Sequence, residues 1–197
     1  MVKSLLILIY FLFKLSDSEA KTLFVGENES IQTLKEAIRL AENGDTLLIR
    51  SGIYKEHDLL ITKSIHIIAE PNALLDGENF GGLLFSGIDT FSISGLSFTN
   101  IGISYTSDLA AIKVSKSKDF IIQDCVLENV FFGILIEKSK RGTIRNNHVS
   151  SVRKNEASSG NGIHIWSGDD MDVHDNELFG LRDGIYFEFV KNSRIYS

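Results

Sequence analysis

Apolar residues in the second half of the chain recur in columns. Five segments read alike: Gly82-Leu83-Leu84-Phe85, Ala111-Ile112-Lys113-Val114, Gly133-Ile134-Leu135-Ile136, Gly162-Ile163-His164-Ile165 and Gly184-Ile185-Tyr186-Phe187. In each, the second and fourth residues are apolar and the third varies, which is the period-two alternation of a strand with one buried face. Two more apolar columns follow: Ile93, Ile122, Ile144, Val173 and Ile195, then Phe98, Leu127, Val149 and Leu178. Gly, Asn, Asp and Ser separate the columns, as tight turns require. Three short strands in a unit of about 22 residues make a solenoid repeat.

One such unit cannot bury its own apolar columns. Stacking units about 4.8 Å apart buries all three columns as one continuous core and pairs each strand with its equivalents above and below. The fold class is therefore all-β, a single-stranded parallel β-helix. Just before the third strand runs a column of Leu96, Cys125, Asn147 and Asn176. Asn tolerates left-handed dihedrals and can bond to the Asn one coil away, so this column reads as structural.

The spacing between units alternates between 29 and 22 residues. The extra seven residues fall at one corner, in Asn100–Ala110 and Val152–Asn161. Two loops should emerge from one side of the solenoid, either as tolerated insertions or as the rim of a binding face.

The ends read differently. Lys3, the apolar stretch Ser4–Phe13 and Ser18-Glu19-Ala20 predict a secretory signal, residues 1–20, cleaved after Ala20, with an uncleaved membrane anchor as the alternative. Residues 21–44 form a lead and a capping helix. That helix is expected over Ser30–Asn43, with Ser30 as N-cap, an apolar stripe of Ile31, Leu34, Ala37, Ile38 and Ala41, and Gly44 at the stop. It should cover the open strand edge of the first coil. The solenoid runs from residue 45 to 197. Residues 184–197 make only the first half of a coil, so the chain is expected to be a fragment of a longer protein.

Composition narrows the chemistry. The net charge of −6 argues against a nucleic-acid partner. A single cysteine, Cys125, cannot form an internal disulfide, and an exported chain without one suits a bacterial periplasm. The outer face of the first strand collects the notable side chains. His164 should neighbour Tyr186, and the single tryptophan, Trp166, should lie between Glu137 and Glu188. An exposed Trp on a sheet face marks a binding surface. Arg182-Asp183, just before this strand, is either a turn former or a polar contact at the rim. Metal ligation has weak candidates in His164, Met171 and His174. The two histidines fall on different walls, so they cannot share an ion. No catalytic residue is assigned. Glu137 and Glu188 are two coils apart with Trp166 between them, and the turn acids Asp169, Asp170, Asp172 and Asp175 read as solvated.

The run Gly160-Asn161-Gly162-Ile163-His164-Ile165-Trp166, followed one coil later by Arg182-Asp183-Gly184-Ile185-Tyr186-Phe187-Glu188, resembles the NosD family of periplasmic β-helix proteins. The opening agrees: a helix, then Asn43-Gly44-Asp45-Thr46-Leu47, Gly52-Ile53-Tyr54 and Leu74-Leu75-Asp76-Gly77. The resemblance implies a right-handed helix and a non-enzymatic maturation factor that assists copper delivery to nitrous oxide reductase. Its partners would be ABC transporter subunits, a copper chaperone and the reductase, with membrane association only through them. It implies no firmly bound cofactor, and at most a transient contact with copper. The alternative is a carbohydrate-active or carbohydrate-binding β-helix. The string Asp172-Val173-His174-Asp175 resembles the Asp-Pro-His-Asp motif of alginate epimerases but lacks its proline.

Overall fold

The computed structural model describes residues 19–104, 106–151 and 160–197. The expected leader, up to residue 18, and residues 152–159 of the second long loop lie outside the described residues.

Each coil contributes one strand to each of three parallel sheets. The first wall carries the repeated motif. It is built from β4 (Leu59–Ile61), β7 (Leu83–Ser86), β10 (Ala110–Ser115), β13 (Phe132–Glu137), β16 (Asn161–Trp166) and β19 (Asp183–Glu188). The second wall has eight strands: β1 (Thr22–Val25), β2 (Thr46–Ile49), β5 (His66–Ala69), β8 (Asp89–Ser94), β11 (Lys118–Gln123), β14 (Lys140–Arg145), β17 (Asp172–His174) and β20 (Arg194–Tyr196). The third holds β3 (Gly52–Lys55), β6 (Ala73–Phe80), β9 (Ser97–Ile101), β12 (Val126–Glu128), β15 (His148–Ser150) and β18 (Glu177–Phe179). The coil is a right-handed parallel β-helix.

The apolar columns pair as their spacing requires. Leu83, Ile112, Ile134, Ile163 and Ile185 are successive partners on the first wall. Ile93, Ile122, Ile144, Val173 and Ile195 are partners on the second. Phe98, Leu127, Val149 and Leu178 are partners on the third. The 29-residue and 22-residue units keep one register, and in the first long unit the extra residues lie between β9 and β10. Between the walls, Phe85, Phe91 and Phe120 stack with centroids 4.2 and 5.2 Å apart.

Four expectations need correction. Ile185 and Ile195 were placed in the core with their columns, yet Ile185 is only partly buried and Ile195 is 53% exposed. β19 and β20 each pair on one side only, so no described coil covers their inward faces. The helix is also shorter than expected. α1 spans Leu34–Leu40, with Thr33 rather than Ser30 as its N-cap. Ile31 is held extended by a bridge to Val25 and accepts a hydrogen bond from the Gly26 amide, so helical dihedrals cannot begin there. The terminal edge of the second wall is formed by β1, which pairs with β2, while α1 packs against β1, β2 and β4. Finally, the left-handed residue at the asparagine turn is one position earlier than expected: Gly95, Asp124, Asn146 and Asp175 carry positive φ. Asn147 and Asn176 point inward instead. The Asn147 amide and side-chain NH2 both donate to Asn176 Oδ1 (3.0 and 2.9 Å), and Asn147 Oδ1 accepts from the Cys125 amide at 3.1 Å.

Candidate functional site

Outward residues on the first wall form two ladders. One runs Leu84, Lys113, Leu135, His164, Tyr186, and the other Ser86, Ser115, Glu137, Trp166, Glu188. His164 therefore neighbours Tyr186, and Trp166 lies between Glu137 and Glu188, as the coil spacing implied. Strand alternation alone puts these side chains outside, because their neighbours Ile163 and Ile165 are fully buried.

A cleft of about 240 Å³ opens on this wall, lined by Asp108, Phe132, Leu135, Glu137, His164 and Trp166. Asp108 comes from the loop between β9 and β10, the first of the two long corners. Lys113 ties that loop to the wall, with its Nζ 3.9 Å from Asp108 and 3.1 Å from Glu137. A second cleft of about 380 Å³ continues from Asp108 and Lys113 along the same loop. The loop thus forms a rim over the wall, while most of its counterpart two coils later lies outside the described residues.

His164 sits at the centre. Its ring meets Tyr186 edge-on at 5.0 Å and Phe132 at 5.8 Å. Both ring nitrogens are shielded from solvent and have no hydrogen-bond partner among the described residues. Burial lowers its pKa, against the opposing pull of Glu188, Asp108 and Glu137 and with a smaller push from Arg182. The ring is therefore neutral at pH 7 and offers one donor and one acceptor. Trp166 is partly exposed, and the Lys138 ammonium lies over its ring at 4.7 Å.

Arg182 and Asp183 form a polar contact at the rim. Arg182 Nε donates to Asp183 at 3.0 Å, and its NH2 group donates to Asn161 Oδ1 at 3.0 Å. The metal candidates are not brought together. His164 is on β16, His174 on β17 of another wall, and Met171 is buried. Among the described residues no three His, Cys, Asp or Glu side chains are grouped to hold a metal ion. Three of the four turn acids have partners of their own: Asp172 pairs with Arg194 at 3.0 Å, Asp175 contacts His174 at 2.7 Å, and Asp169 accepts from Asn192.

Sequence reasoning missed three members of the site. Phe132 stands one position before the repeated motif, outside the apolar columns. Leu135 was read as an exposed outward residue, but it is 3% exposed beneath the cleft. Asp108 lies in an inserted loop, where no periodicity reports position. A charged residue two positions before the strand was the only signal available for it.

A glycosyl hydrolase candidate from Parabacteroides merdae shares 15% identity, with a TM-score of 0.57 over 76% of this chain and 80% of its own. Pectin methylesterase PemA from Erwinia chrysanthemi shares 14% identity, with a TM-score of 0.53 over 90% of this chain and 66% of its own. At such identities both report the fold alone. Among curated proteins, "Probable ABC transporter binding protein NosD" of Pseudomonas aeruginosa is 29% identical over 131 residues, 64% of this chain. The match spans 30% of that protein's length. Residues 34–178 match the family described as the right handed beta helix region. With that match covering most of the coils described above, the chain belongs to the right-handed β-helix family.

Proposed function

We propose that the chain is a NosD-like, non-enzymatic binding subunit whose first wall docks a partner protein in copper delivery to nitrous oxide reductase. The observation that carries this reading is the cleft lined by Phe132, His164 and Trp166 with Glu137 and Asp108, continued one coil on by Tyr186 and Glu188. Aromatic side chains with a polar edge are the usual anchors of protein interfaces. A neutral His164 keeps the centre of this wall uncharged, so covering it buries no imidazolium. Partners of the resembling family are the ABC transporter, a copper chaperone and the reductase. Copper is their cargo here, and no step is routed through ligands on this chain.

The test is Trp166→Ala in the exported protein. Partner capture should weaken by about 2 kcal/mol or more while the fold persists, and reductase copper content should fall. His174→Ala, on another wall, should leave both unchanged. Normal capture and normal copper content with Trp166→Ala would sink the proposal. The same aromatic faces and carboxylates also suit a sugar chain. Binding or turnover of a uronic-acid polymer by the purified protein would promote that second reading.

A further inference from the structure

Asp45 is the only Asp, Glu, Lys, Arg or His among the buried residues described, 1% exposed just before β2. A carboxylate out of water needs a compensating cation close by. Its side-chain cation is poorly placed: Lys21 Nζ is 3.7 Å away and half exposed. A different atom of the same residue is closer. The Lys21 backbone nitrogen donates to Asp45 Oδ1 at 3.0 Å, while Oδ2 accepts from the Glu42 amide at 2.8 Å. Lys21 is also the residue that follows the small-x-small sequence Ser18-Glu19-Ala20.

We propose that the peptide bond between Ala20 and Lys21 is a processing site, and that Asp45 is the receptor for the α-ammonium group its hydrolysis leaves on Lys21. A signal-type peptidase supplies the catalysis and water is the co-reactant. The Ala20 carbonyl carbon gains the water oxygen and departs as a carboxylate. The Lys21 nitrogen keeps the bonding pair and takes up protons to become an ammonium. An amide–carboxylate hydrogen bond thereby becomes an ion pair without moving either heavy atom. The pair is continuous with the fold, because the Lys21 carbonyl accepts from the Thr46 amide at 2.9 Å and the Asp45 carbonyl accepts from the His66 amide at 2.9 Å.

The other ionisable groups around the pair are Glu19 and the Lys21 side chain on the lead, Glu42 after α1, and Lys63 and His66 on the next coil. Lys63 is committed to carbonyls of the helix end. Asp45's pKa is pushed up by burial, but the two backbone donors and Lys21 outweigh this and hold it below its ordinary value. The carboxylate therefore stays charged to receive the terminus.

The sign of the pH dependence follows. An α-ammonium facing a carboxylate has its pKa raised above the ordinary value of about 7.7–8.0. Its stabilisation is complete below that range and is lost as pH rises through the raised value.

The test compares the full chain exported by a bacterial host with the same chain retained unprocessed in the cytosol. Intact mass should place the first residue of the exported form at Lys21. That form should melt about 2–4 °C higher at neutral pH, and the gap should close as the α-amino group deprotonates. Asp45→Asn should erase the gap. Should that variant fail to fold, a chain with one glycine inserted after Ala20 keeps Asp45 and displaces the new terminus, and it should lose the gap as well. A first residue other than Lys21, or a gap that survives high pH or the inserted glycine, would overturn the proposal.

Discussion

Cys125 shows how far a coil position dictates a side chain's chemistry. It is fully buried beside the asparagine turn, and burial, only partly offset by the Leu96 and Gly95 amides, pushes its pKa up to about 12. The thiol should resist alkylation at pH 8 in the folded protein and react only on unfolding, and fast labelling in the native state would contradict the placement. Ile163 tests the register itself. It is fully buried between Ile134 and Ile185, so Ile163→Ala should cost about 2–5 kcal/mol in chemical denaturation. These inward residues were legible because strand alternation and coil period act on every unit alike. The left-handed residue was not. A turn containing Asn146-Asn147 or Asp175-Asn176 offers two residues tolerant of the conformation, and only packing shows that the second of each pair faces in. Burial of Leu135 escaped notice because alternation assigns it to the outer face and says nothing of what lies over that face.

At the scale of elements, α1 is too short to persist alone. Both of its ends are held by the coil that follows. Glu56 accepts from the Leu34 and Lys35 amides at 2.7 and 2.8 Å, and Lys63 donates to the carbonyls of Ile38, Arg39 and Ala41 at 3.1, 2.9 and 2.6 Å. An acid at the N-terminus and a base at the C-terminus complement the helix dipole. Lys63→Met should therefore speed hydrogen exchange in α1 by about tenfold or more and leave β10 and β13 protected, since bonds from a charged donor contribute about 1.5–3 kcal/mol. Equal exchange in wild type and variant would show that packing alone holds the helix. The apolar stripe made a helix legible in the sequence, but its true ends were set by partners 20 or more residues away. Strand β1 went unread because four residues beside the leader carry no repeat.

Across the whole molecule, charge sets the response to acid. Asp119 is held below its ordinary pKa by the Arg141 guanidinium, Glu70 by Arg50 and the Ser51 amide, and Asp76 by the Glu78 amide and Asn100. Each stabilises the fold above the ordinary carboxylate range and loses that contribution as pH falls through its lowered value. His164 acts earlier in the same direction. It is kept neutral by burial, so its cost begins as pH drops below the ordinary histidine value of about 6.5. Stability should fall in two stages on acidification, and His164→Gln should remove the first. A single carboxylate-range transition in the wild type would refute the buried neutral ring.

The first wall also fixes a length. Glu137 and Glu188 flank Trp166 on strands separated by two backbone rises, about 9.6 Å in all. Side-chain substitutions can recolour this grid but cannot stretch it, because its pitch belongs to main-chain hydrogen bonds. Only gaining or losing a whole coil changes the distance, and then by a full step. The wall is therefore graduated in coils, and its outward side chains can be spaced only in whole steps.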